Sequence, residues 1–582
     1  MMDRSYLVSF DLSTGEAQVY KTENLSMLTP YRDGTFLAFS YDRENAYNSD
    51  TGEYAPAAIG VFDPAADTFT ELRKYPLRYN DVQQAVYSAA VDTLYLYTGN
   101  RVYQMAAMND PELCAYSPFS WVNSGGLAVI GKVAGIIGET GFLTRTLDPS
   151  RLPNEKIVIS GNMNTAAHNK AVAAMGEIPV LESTQSLYGD QLVQALITGD
   201  LEADVLCLDT SGYDLANILR KGYFAPLTDS GAVAGFVATL YPFLQEAGME
   251  NGVIYGVPAL ISTYGPVEGA RGAFEETGLE KPESLTDVIG IFEKWGADKL
   301  YEDHPDYLPM EWMGGSYKEQ LISMALDLWG HYLTAEKREW TLEDPILRQV
   351  LEKIEALDTS DWEVAVDWDN MSEEMEEFFE RAALITPDMG YESLAGIASY
   401  GVMPLSLTDD TPPYTHVNVY VLLINARSKN KEAALRYIEN YIQALEDTDL
   451  ATMQKDWNEP ITDPMNGKYV ADVEEEIERL RKAMAGADAV DVPDLQQQLE
   501  GQQEYLARLK ANPYRVSPED LALWKQVMAY GFAERPSMFY TNLDPSSNLR
   551  TLRNQYTDGL ISLDQFLSEG QRVIDLILKE NQ

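Results

Sequence analysis

The chain has 582 residues, and its 43 lysines and arginines against 91 aspartates and glutamates give a formal net charge of −48. Such a charge repels nucleic acid and anionic membrane surfaces, so we expect neither as a partner. The hydrophobic fraction of 45% and the aromatic fraction of 10% are typical of a globular chain that forms a core. At about 100–200 residues per domain, the length leaves room for about three or four domains.

The two cysteines, Cys114 and Cys207, lie far apart, and no Cys-x-x-Cys pair is present. The sequence therefore predicts neither a disulfide framework nor a zinc or redox site built on cysteine. Cys207 lies in the apolar run Val205–Leu208 and is predicted to be a small buried hydrophobic residue. No stretch of about 18 apolar residues appears, so no membrane span is predicted. The segment Met1–Tyr6 lacks the pattern of an export signal.

Residues 1–152 alternate short apolar and aromatic runs with Asp-Gly, Thr-Gly and Gly-Asn turns, which indicates antiparallel sheet. A weak repeat relates Phe10–Glu16 to Phe62–Thr68, and units of this length are typical of four-stranded propeller blades. Three units are too few for a propeller of about 4–8 blades. We predict an all-β, propeller-like region that is either incomplete in this sequence or an open stack of sheets, with a β-sandwich as the alternative. The predicted strands are Tyr6–Phe10, Thr35–Phe39, Ile59–Phe62, Thr93–Tyr97 and Leu127–Ile130.

From residue 153 the pattern changes to strands that alternate with helices, which predicts βαβ units and a parallel sheet. From Ser284 onward the chain is predicted to be mostly helical, with strands at 383–386 and 417–424. The first strands and helices are predicted at 156–160, 165–175, 178–181, 190–198, 204–209 and 213–221.

Residues 470–510 show the pattern of a helical hairpin inserted into this scheme. Its two apolar stripes are predicted to pack against each other, with a coiled coil for a partner as the alternative. They consist of Val473, Ile477, Leu480 and Met484, and of Leu495, Leu499, Leu506 and Leu509. The acidic segment Ser372–Glu380 is predicted to be a helix whose Met375, Phe378 and Phe379 face inward.

Sequence motifs of catalysis are absent. There is no G-x-S-x-G elbow, no phosphate-binding loop and no H-E-x-x-H helix, and the four histidines are scattered. Among 91 carboxylates an acid–base pair cannot be singled out. The sequence therefore singles out no catalytic residue, no metal site and no cofactor.

Three segments in a fixed order carry a resemblance. They are Leu192–Leu206, which leads through Gly222–Thr228, then Asn251–Pro258, then Tyr420–Ala434. Together they resemble the extracellular solute-binding proteins of bacterial ABC importers, especially the sugar-binding group, over residues 155–582. This sequence has Ala203 where the family often has proline, and the β-rich region and the hairpin are additions to the common pattern.

The resemblance implies an α/β, two-lobed, periplasmic-binding-protein-like (Venus flytrap) fold for residues 153–582. Lobe 1 would comprise 153–263 and part of 416–450, and lobe 2 would comprise 264–415 and much of the C-terminal helices. The Asn251-Gly252 turn and the extended run Tyr255–Pro258 could then serve as a hinge. The family implies a monomer, extracellular or lipid-anchored at the cell surface through a segment outside this sequence. It would bind a solute, expected to be a carbohydrate, and deliver it to an ABC permease. The resemblance thus implies a binding protein and not an enzyme.

In such folds the ligand lies outside the carboxyl ends of the strands, which points to the loops after Ser160, Leu208 and Ile385. Amides and carboxylates bond hydroxyl groups, and aromatic rings stack on sugars. The candidate ligand-binding residues are Asn162, Asn164, Asp209, Thr263, Tyr264, Trp312, Met389 and Tyr391.

Each candidate has a structural alternative. The two asparagines could be turn or helix-capping residues, and Asp209 could cap a helix that begins near Tyr213. Trp312 and Tyr391 could be core residues, as Trp295 and Trp329 are predicted to be. Two other functions also stay open. One is a carbohydrate-active enzyme that uses cleft carboxylates. The other is a surface interaction protein that uses the β-rich region and the hairpin.

Overall fold

The computed structural model describes residues 6–10, 13–14, 17–40, 47–48, 53–54, 57–75, 82–98, 101–117, 124–138, 141–153, 155–161, 163–176, 178–183, 185, 187, 189–265, 267–270, 272–312, 316–363, 373–387, 390–486, 492–533 and 548–580. The chain forms two compact units. The first comprises Met1–Cys207, Tyr223–Ala225 and Leu423–Ala444, and the second comprises Leu208–Gly222, Pro226–Leu422 and Leu445–Gln582. The lobe boundaries given above stay a prediction.

The N-terminal part of the first unit is all-β, as predicted, and each of the five predicted strands is present. The strands are β1 Tyr6–Phe10, β2 Ala17–Glu23, β3 Leu25–Pro30, β4 Phe36–Ser40, β5 Tyr47–Asn48, β6 Glu53–Tyr54, β7 Ala58–Asp63, β8 Thr68–Lys74, β9 Gln84–Ser88, β10 Thr93–Thr98, β11 Arg101–Ala106, β12 Glu112–Tyr116, β13 Ser124–Ile130, β14 Val133–Gly138 and β15 Gly141–Thr146. They form antiparallel sheets of order β1-β2, β3-β4-β7-β8, β5-β6, β9-β10-β11-β12 and β13-β14-β15.

Strand β10 shows how these sheets pack, because it is buried on both faces. Leu94 and Leu96 on one face join a core with Leu37 and Ile59 of the sheet before it. Tyr95 and Tyr97 on the other face join a core with Leu127 and Ile136 of the sheet after it. Successive side chains of a strand point to opposite faces of the sheet. Because β10 has apolar residues on both faces, it packs against one sheet on each side, and the sheets form a stack. Within the described ranges the stack does not close into a propeller.

The remaining residues form an α/β part and a large helical part. The further strands are β16 Ile157–Ser160, β17 Val180–Glu182, β18 Val205–Asp209, β19 Met249–Glu250, β20 Val253–Ile254, β21 Gly256–Tyr264, β22 Val267–Gly269, β23 Tyr307–Leu308, β24 Ala382–Ala383, β25 Ile385–Thr386, β26 Val402–Met403, β27 Thr415–Ile424, β28 Ile461–Thr462, β29 Tyr514–Val516 and β30 Gly531–Phe532. The helices are α1 Thr165–Ala174, α2 Asp190–Thr198, α3 Leu215–Arg220, α4 Gly231–Val237, α5 Pro242–Ala247, α6 Ala273–Thr277, α7 Leu285–Ala297, α8 Leu300–Asp303, α9 Tyr317–Ala335, α10 Pro345–Ala356, α11 Glu373–Glu380, α12 Ile397–Tyr400, α13 Lys431–Ala444, α14 Asp447–Met453, α15 Asn466–Gly486, α16 Val492–Ala511, α17 Pro518–Ala529, α18 Asn548–Thr557 and α19 Leu563–Glu580.

In the first unit β16 pairs in parallel with β17 and with the beginning of β18, which confirms the predicted parallel sheet. Helix α1 connects β16 to β17 and packs on α13, where His168 Nδ1 lies 2.7 Å from the hydroxyl of Tyr437. Burial lowers the pKa of His168 to about 4, so this imidazole is neutral near pH 7. Cys207, at the division between the units, is buried as predicted.

Asp204 joins two of the segments that carry the family resemblance. Its carboxylate accepts hydrogen bonds from the Val158 N–H at 2.8 Å and from the Ser428 hydroxyl at 2.6 Å, and the Asn430 amide lies 3.4 Å away. The Asn425 side chain donates to the Ala203 carbonyl at 3.1 Å. The segment before β18 and the segment after β27 are thus joined by buried polar groups that satisfy each other.

In the second unit β21 lies beside β27, and β30 pairs in parallel with the beginning of β27. The main core of this unit is helical and contains Trp295 of α7 and Trp329 of α9, both fully buried as predicted. In α11, Met375 and Phe378 are buried as predicted. The prediction is wrong for Phe379, which is 36% exposed and lies at the edge of the buried stripe, where its ring contacts that of Trp312.

The segment 466–511 forms two helices, α15 and α16, whose predicted apolar stripes pack together. Val473, Ile477 and Leu480 meet Leu499, with the four other stripe residues partly buried around them. Lys510 and Glu474 form an exposed ion pair at 2.6 Å, which requires the two helices to run antiparallel. Across the described part of the chain, no helix is long and apolar enough to cross a membrane.

Candidate functional site

Two of the eight candidate residues, Asn162 and Met389, lie outside the described residues. Asn164 caps α1. Its side-chain oxygen accepts from the Ala167 N–H at 3.1 Å, and its own N–H donates to the Tyr441 hydroxyl at 3.1 Å. The structure therefore gives Asn164 the alternative capping role. A ligand-binding role for it stays a prediction.

Three candidates of the second unit are brought together. Thr263 and Tyr391 exchange backbone hydrogen bonds of 2.9 and 3.3 Å, and Tyr264 is the last residue of β21. The Tyr391 hydroxyl donates to Glu268 at 2.5 Å. Burial and this neighbouring carboxylate raise the pKa of Tyr391, so its phenol keeps its proton. Strand pairing explains the convergence, since the residues are far apart in the sequence.

Trp312 packs in a different environment. It is half-buried, lies against the helical core and contacts the ring of Phe379 at a centroid distance of 5.3 Å. The partial exposure of both rings leaves an aromatic pair at the surface of the second unit.

Asp209 ends β18, and its carboxylate accepts from the Gly212 N–H at 2.6 Å, which tightens the turn that follows the strand. The alternative that Asp209 caps the next helix is wrong. Helix α3 begins two residues later than expected, and Asp214 is its cap because the Asp214 carboxylate accepts from the Asn217 N–H at 3.0 Å. Asp209 thus shapes the loop that opens at the carboxyl end of β18.

That loop lines the largest described cavity of the second unit, which has a volume of about 670 Å³. Its walls come from the loop and start of α3, from α5 and β19, from the end of α9 and from β30. The lining residues are Thr210, Tyr213, Asp214, Leu215, Ala216, Phe243, Glu246, Ala247, Glu250, Thr334, Ala335, Lys337, Gly531, Phe532 and Ala533. A cavity at the carboxyl end of a strand in an α/β sheet is the position where such folds place ligands.

Aromatic rings form part of the wall. The ring of Phe243 lies against the backbone of Gly531, and any side chain at position 531 would come within 2.5 Å of that ring. Phe243 also stacks on Tyr241, with centroids 6.0 Å apart and planes at 25°. Glycine at position 531 therefore allows the Phe243 ring to lie beside β30 at the cavity.

Phe532 connects the cavity to a buried histidine pair. His331 and His416 have ring centroids 5.9 Å apart, and their centroids lie 5.5 and 5.4 Å from that of Phe532. Tyr264, one of the predicted binding residues, stacks on His416 with ring centroids 6.1 Å apart. Its contact with the cavity wall is therefore indirect, through the rings of His416 and Phe532. Burial lowers the pKa of His331 to about 4 and that of His416 to about 3, with repulsion between the two rings adding to the second shift. Both are neutral near pH 7.

The polar groups at the cavity differ in whether they find hydrogen-bond partners among the described residues. The Asn418 side-chain oxygen accepts from the Ser211 N–H at 3.0 Å and lies 3.3 Å from the Thr210 hydroxyl. The Thr334 hydroxyl, on the last turn of α9, is buried and finds no partner within the described residues. Among those residues no group of three or more histidines, cysteines or acids could hold a metal ion.

Sequence reasoning found the loop after Leu208 but not the rest of the wall. Tyr213 and Asp214 lie in the segment after the strand predicted at 204–209, so they could have been included among the candidate binding residues. Glu246, Lys337 and Phe532 could not, because only tertiary packing brings their segments to the end of β18.

No protein-family model matches the chain, and no curated protein matches it either. Several solved structures are similar to it. One is the cyclic α-maltosyl-1,6-maltose binding protein of Arthrobacter globiformis, with 14% identity over 73% of this chain and 99% of that one, and a TM-score of 0.42. Another is an ABC substrate-binding protein of Listeria monocytogenes in complex with cycloalternan, with 14% identity over 73% and 100% and a TM-score of 0.42. A third is an ABC transporter solute-binding protein of Thermotoga lettingae bound with α-D-tagatose, with 15% identity over 73% and 100% and a TM-score of 0.40.

Proposed function

We propose that this protein binds a small hydrophilic solute, a carbohydrate, and delivers it to the permease of an ABC importer. The observation that carries the proposal is the cavity of about 670 Å³ at the carboxyl end of β18. Its volume lies within the range of about 300–1,000 Å³ that is usual for small-molecule sites. A single such cavity has room for more than one sugar ring.

The chemistry of the wall supports a carbohydrate. Phe243 and Phe532 offer apolar ring faces, which suit the C–H faces of a pyranose. Tyr213 and Asp214 place a hydroxyl and a carboxylate beside them, and these groups suit the equatorial hydroxyls at the rim of a sugar. Rings for the faces and polar groups for the rim are the two requirements of saccharide recognition.

We extend the proposal to a binding cycle. The ligand shifts an equilibrium between open and closed arrangements of two lobes, with no covalent chemistry, and an ATPase subunit separate from this chain supplies the energy. The turn at Asn251 and Gly252, both with left-handed φ values, joins the paired strands β19 and β20. The chain then continues into β21, where this proposal places the hinge. The protein acts as a monomer outside the cell, held at the surface by a lipid anchor. The N-terminal stack serves as a propeller-like module, since its central sheet is buried on both faces as a blade is.

The test is a screen of mono- and oligosaccharides, amino acids and polyamines by thermal shift, followed by calorimetry. We expect a saccharide to bind at micromolar concentration. Phe243→Leu should weaken binding about fivefold, since a lost ring contact contributes about 1 kcal/mol. Asp214→Asn keeps a competent helix cap and removes only the charge, so it tests the carboxylate without unfolding α3.

The matched control is Arg151→Gln, which changes a second described cavity, of about 300 Å³, in the first unit. It should leave saccharide affinity unchanged. If this variant lost binding while Phe243→Leu bound normally, the binding site would be assigned to the first unit instead. Binding of amines or amino acids alone would overturn the carbohydrate assignment, and turnover of a bound oligosaccharide would favour the enzyme alternative.

A further inference from the structure

The charges around the cavity are strongly unequal. Asp214, Glu246 and Glu250 line it with three carboxylates, and the only lining cation among the described residues is Lys337. Asp214 and Glu246 are exposed and Glu250 is half-buried. A chain with a formal charge of −48 adds a long-range negative potential to this local excess. Anionic solutes are therefore disfavoured in the cavity.

Aromatic rings stand beside these carboxylates. Phe243 belongs to α5, the same short helix as Glu246, and Phe532 is held by its contacts to His331 and His416. Ring faces attract cations, and carboxylates accept hydrogen bonds from ammonium groups. The buried Thr334 hydroxyl, without a partner in the described part of the chain, gives the wall an additional neutral group for hydroxyls.

On this combination of rings, carboxylates and volume we propose that the solute is an aminated, positively charged saccharide. The inference rests on the carbohydrate function proposed above and names the class of sugar. The sugar rings stack on the aromatic wall, and a protonated amine lies among Asp214, Glu246 and Glu250. Neutral saccharides of the same size bind more weakly because they leave these carboxylates without a counter-charge.

Lys337 weakens the preference of the cavity for a positively charged sugar. Its backbone has a φ of 51°, a left-handed conformation that a residue with a side chain adopts at some cost, and it is the second residue after the end of α9. It forms no ion pair within the described residues, although three carboxylates line the same cavity. The ammonium group therefore opposes a cationic ligand, and its removal should strengthen binding of an aminated sugar.

The experiment compares two trisaccharides with the same backbone in the full chain by calorimetry at about pH 6. One is a glucosamine trisaccharide with free amines, and the other is its N-acetylated form. At about 50 mM salt the free-amine form should bind at least tenfold more tightly, and the ratio should shrink at about 500 mM salt because the attraction is screened. Glu246→Gln combined with Glu250→Gln should reduce free-amine binding at least tenfold and N-acetyl binding less than twofold. Lys337→Gly should increase free-amine binding about threefold, as removal of a single repelling charge near the site would.

The control Glu280→Gln makes the same charge change on an exposed residue outside the cavity and should leave both affinities unchanged. Equal or tighter binding of the N-acetylated form would overturn the charged-sugar proposal and leave the carbohydrate function standing. Weaker free-amine binding in Lys337→Gly would also overturn it. Failure of folded protein to bind any saccharide would reject both the proposed function and this inference.

Discussion

The two ends of β18 carry carboxylates of the same type in opposite situations. Asp204, just before the strand, is 7% exposed and its oxygens accept from Val158 and Ser428 within the first unit. Beyond the other end, Asp214 is exposed in the second unit and lines the cavity while it caps α3. A buried carboxylate that is saturated by its own chain has no capacity left for a ligand. An exposed one beside a cavity still does.

The difference separates residues that carry the family resemblance from residues that can recognise a solute. Asp204, Asn425 and Ser428 belong to the resembling segments and hold two distant parts of the chain together. The cavity residues lie mostly outside those segments. The resemblance therefore supports the architecture more directly than it supports the choice of solute, and the following predictions test that division.

The largest effect on stability is expected at Asp204, whose carboxylate already accepts hydrogen bonds from its own chain. Asp204→Ala removes the acceptor of one buried and one partly buried hydrogen bond. It leaves the buried Val158 N–H unsatisfied and takes away the partner of the Ser428 hydroxyl. The free energy of unfolding should fall by about 4 kcal/mol, measured by urea denaturation, since each buried unsatisfied group costs about 1–3 kcal/mol.

The matched control is Asp200→Ala, which changes an exposed aspartate in the turn that precedes the same strand. Its effect should stay within about 0.5 kcal/mol. A loss below 1 kcal/mol in Asp204→Ala would show that the network is not needed for stability, and the comparison between the two ends would fail.

Acid should weaken both units through their buried histidines. The pKa values of His168 and His331 fall to about 4 and that of His416 to about 3, so the unfolded chain binds these protons first as the pH drops. The stability is fully present above about pH 6.5 and is lost as the pH falls towards 4, by an amount on the order of 3 kcal/mol for each histidine. Carboxylates with lowered pKa values, such as Asp67, lose their contribution only below about pH 4, so the two effects are separable.

His416→Phe should flatten the pH profile of the free energy of unfolding between pH 6.5 and 4, because it replaces a buried titrating ring by an apolar one. His304→Gln, which removes an imidazole that is only half-buried, is the control. An identical slope in wild type and His416→Phe would contradict a neutral, buried imidazole behind the cavity wall.

A smaller effect is expected at Tyr391, a predicted binding residue whose hydroxyl forms a hydrogen bond within the protein. Tyr391→Phe removes the hydroxyl that donates to Glu268 at 2.5 Å, and the free energy of unfolding should fall by about 1.5 kcal/mol, as for other hydrogen bonds to charged groups. Tyr400→Phe, on a side chain that is 57% exposed, serves as the control. Unchanged saccharide affinity would assign Tyr391 a structural role, and a tenfold loss would retain it among the ligand contacts.

Much of the fold follows from local pattern. Period-2 runs and turn dipeptides located β4, β7 and β10, and alternating strands and helices predicted the parallel pairing of β16 with β17. The stripe at Val473 and Ile477 predicted the hairpin core. Local pattern could not show that β10 is buried on both faces, because that depends on which sheets pack together.

The candidate site was predictable only where it touches a strand end. The loop after Leu208 was found because ligands lie outside the carboxyl ends of parallel strands. Strand pairing of Thr263 with Tyr391, 128 positions apart, and the approach of Lys337 to Tyr213 depend on tertiary packing. The capping role of Asn164 shows the converse, since a side chain next to a strand end can cap the helix that follows it.

The smallest effect is expected from the backbone at Lys337. Lys337→Gly relieves a left-handed residue of a steric cost of about 1 kcal/mol, and the greater freedom of glycine in the unfolded chain offsets about half of it. The free energy of unfolding should rise by about 0.5 kcal/mol. Asn251→Gly, at a φ of 51° in the turn before β20, is the matched control and should gain less, because asparagine adopts this conformation more readily. A clear loss of stability in Lys337→Gly would mean that the lysine side chain holds the end of α9. Its position at the cavity would then be structural, as that of Asp204 is at the other end of β18.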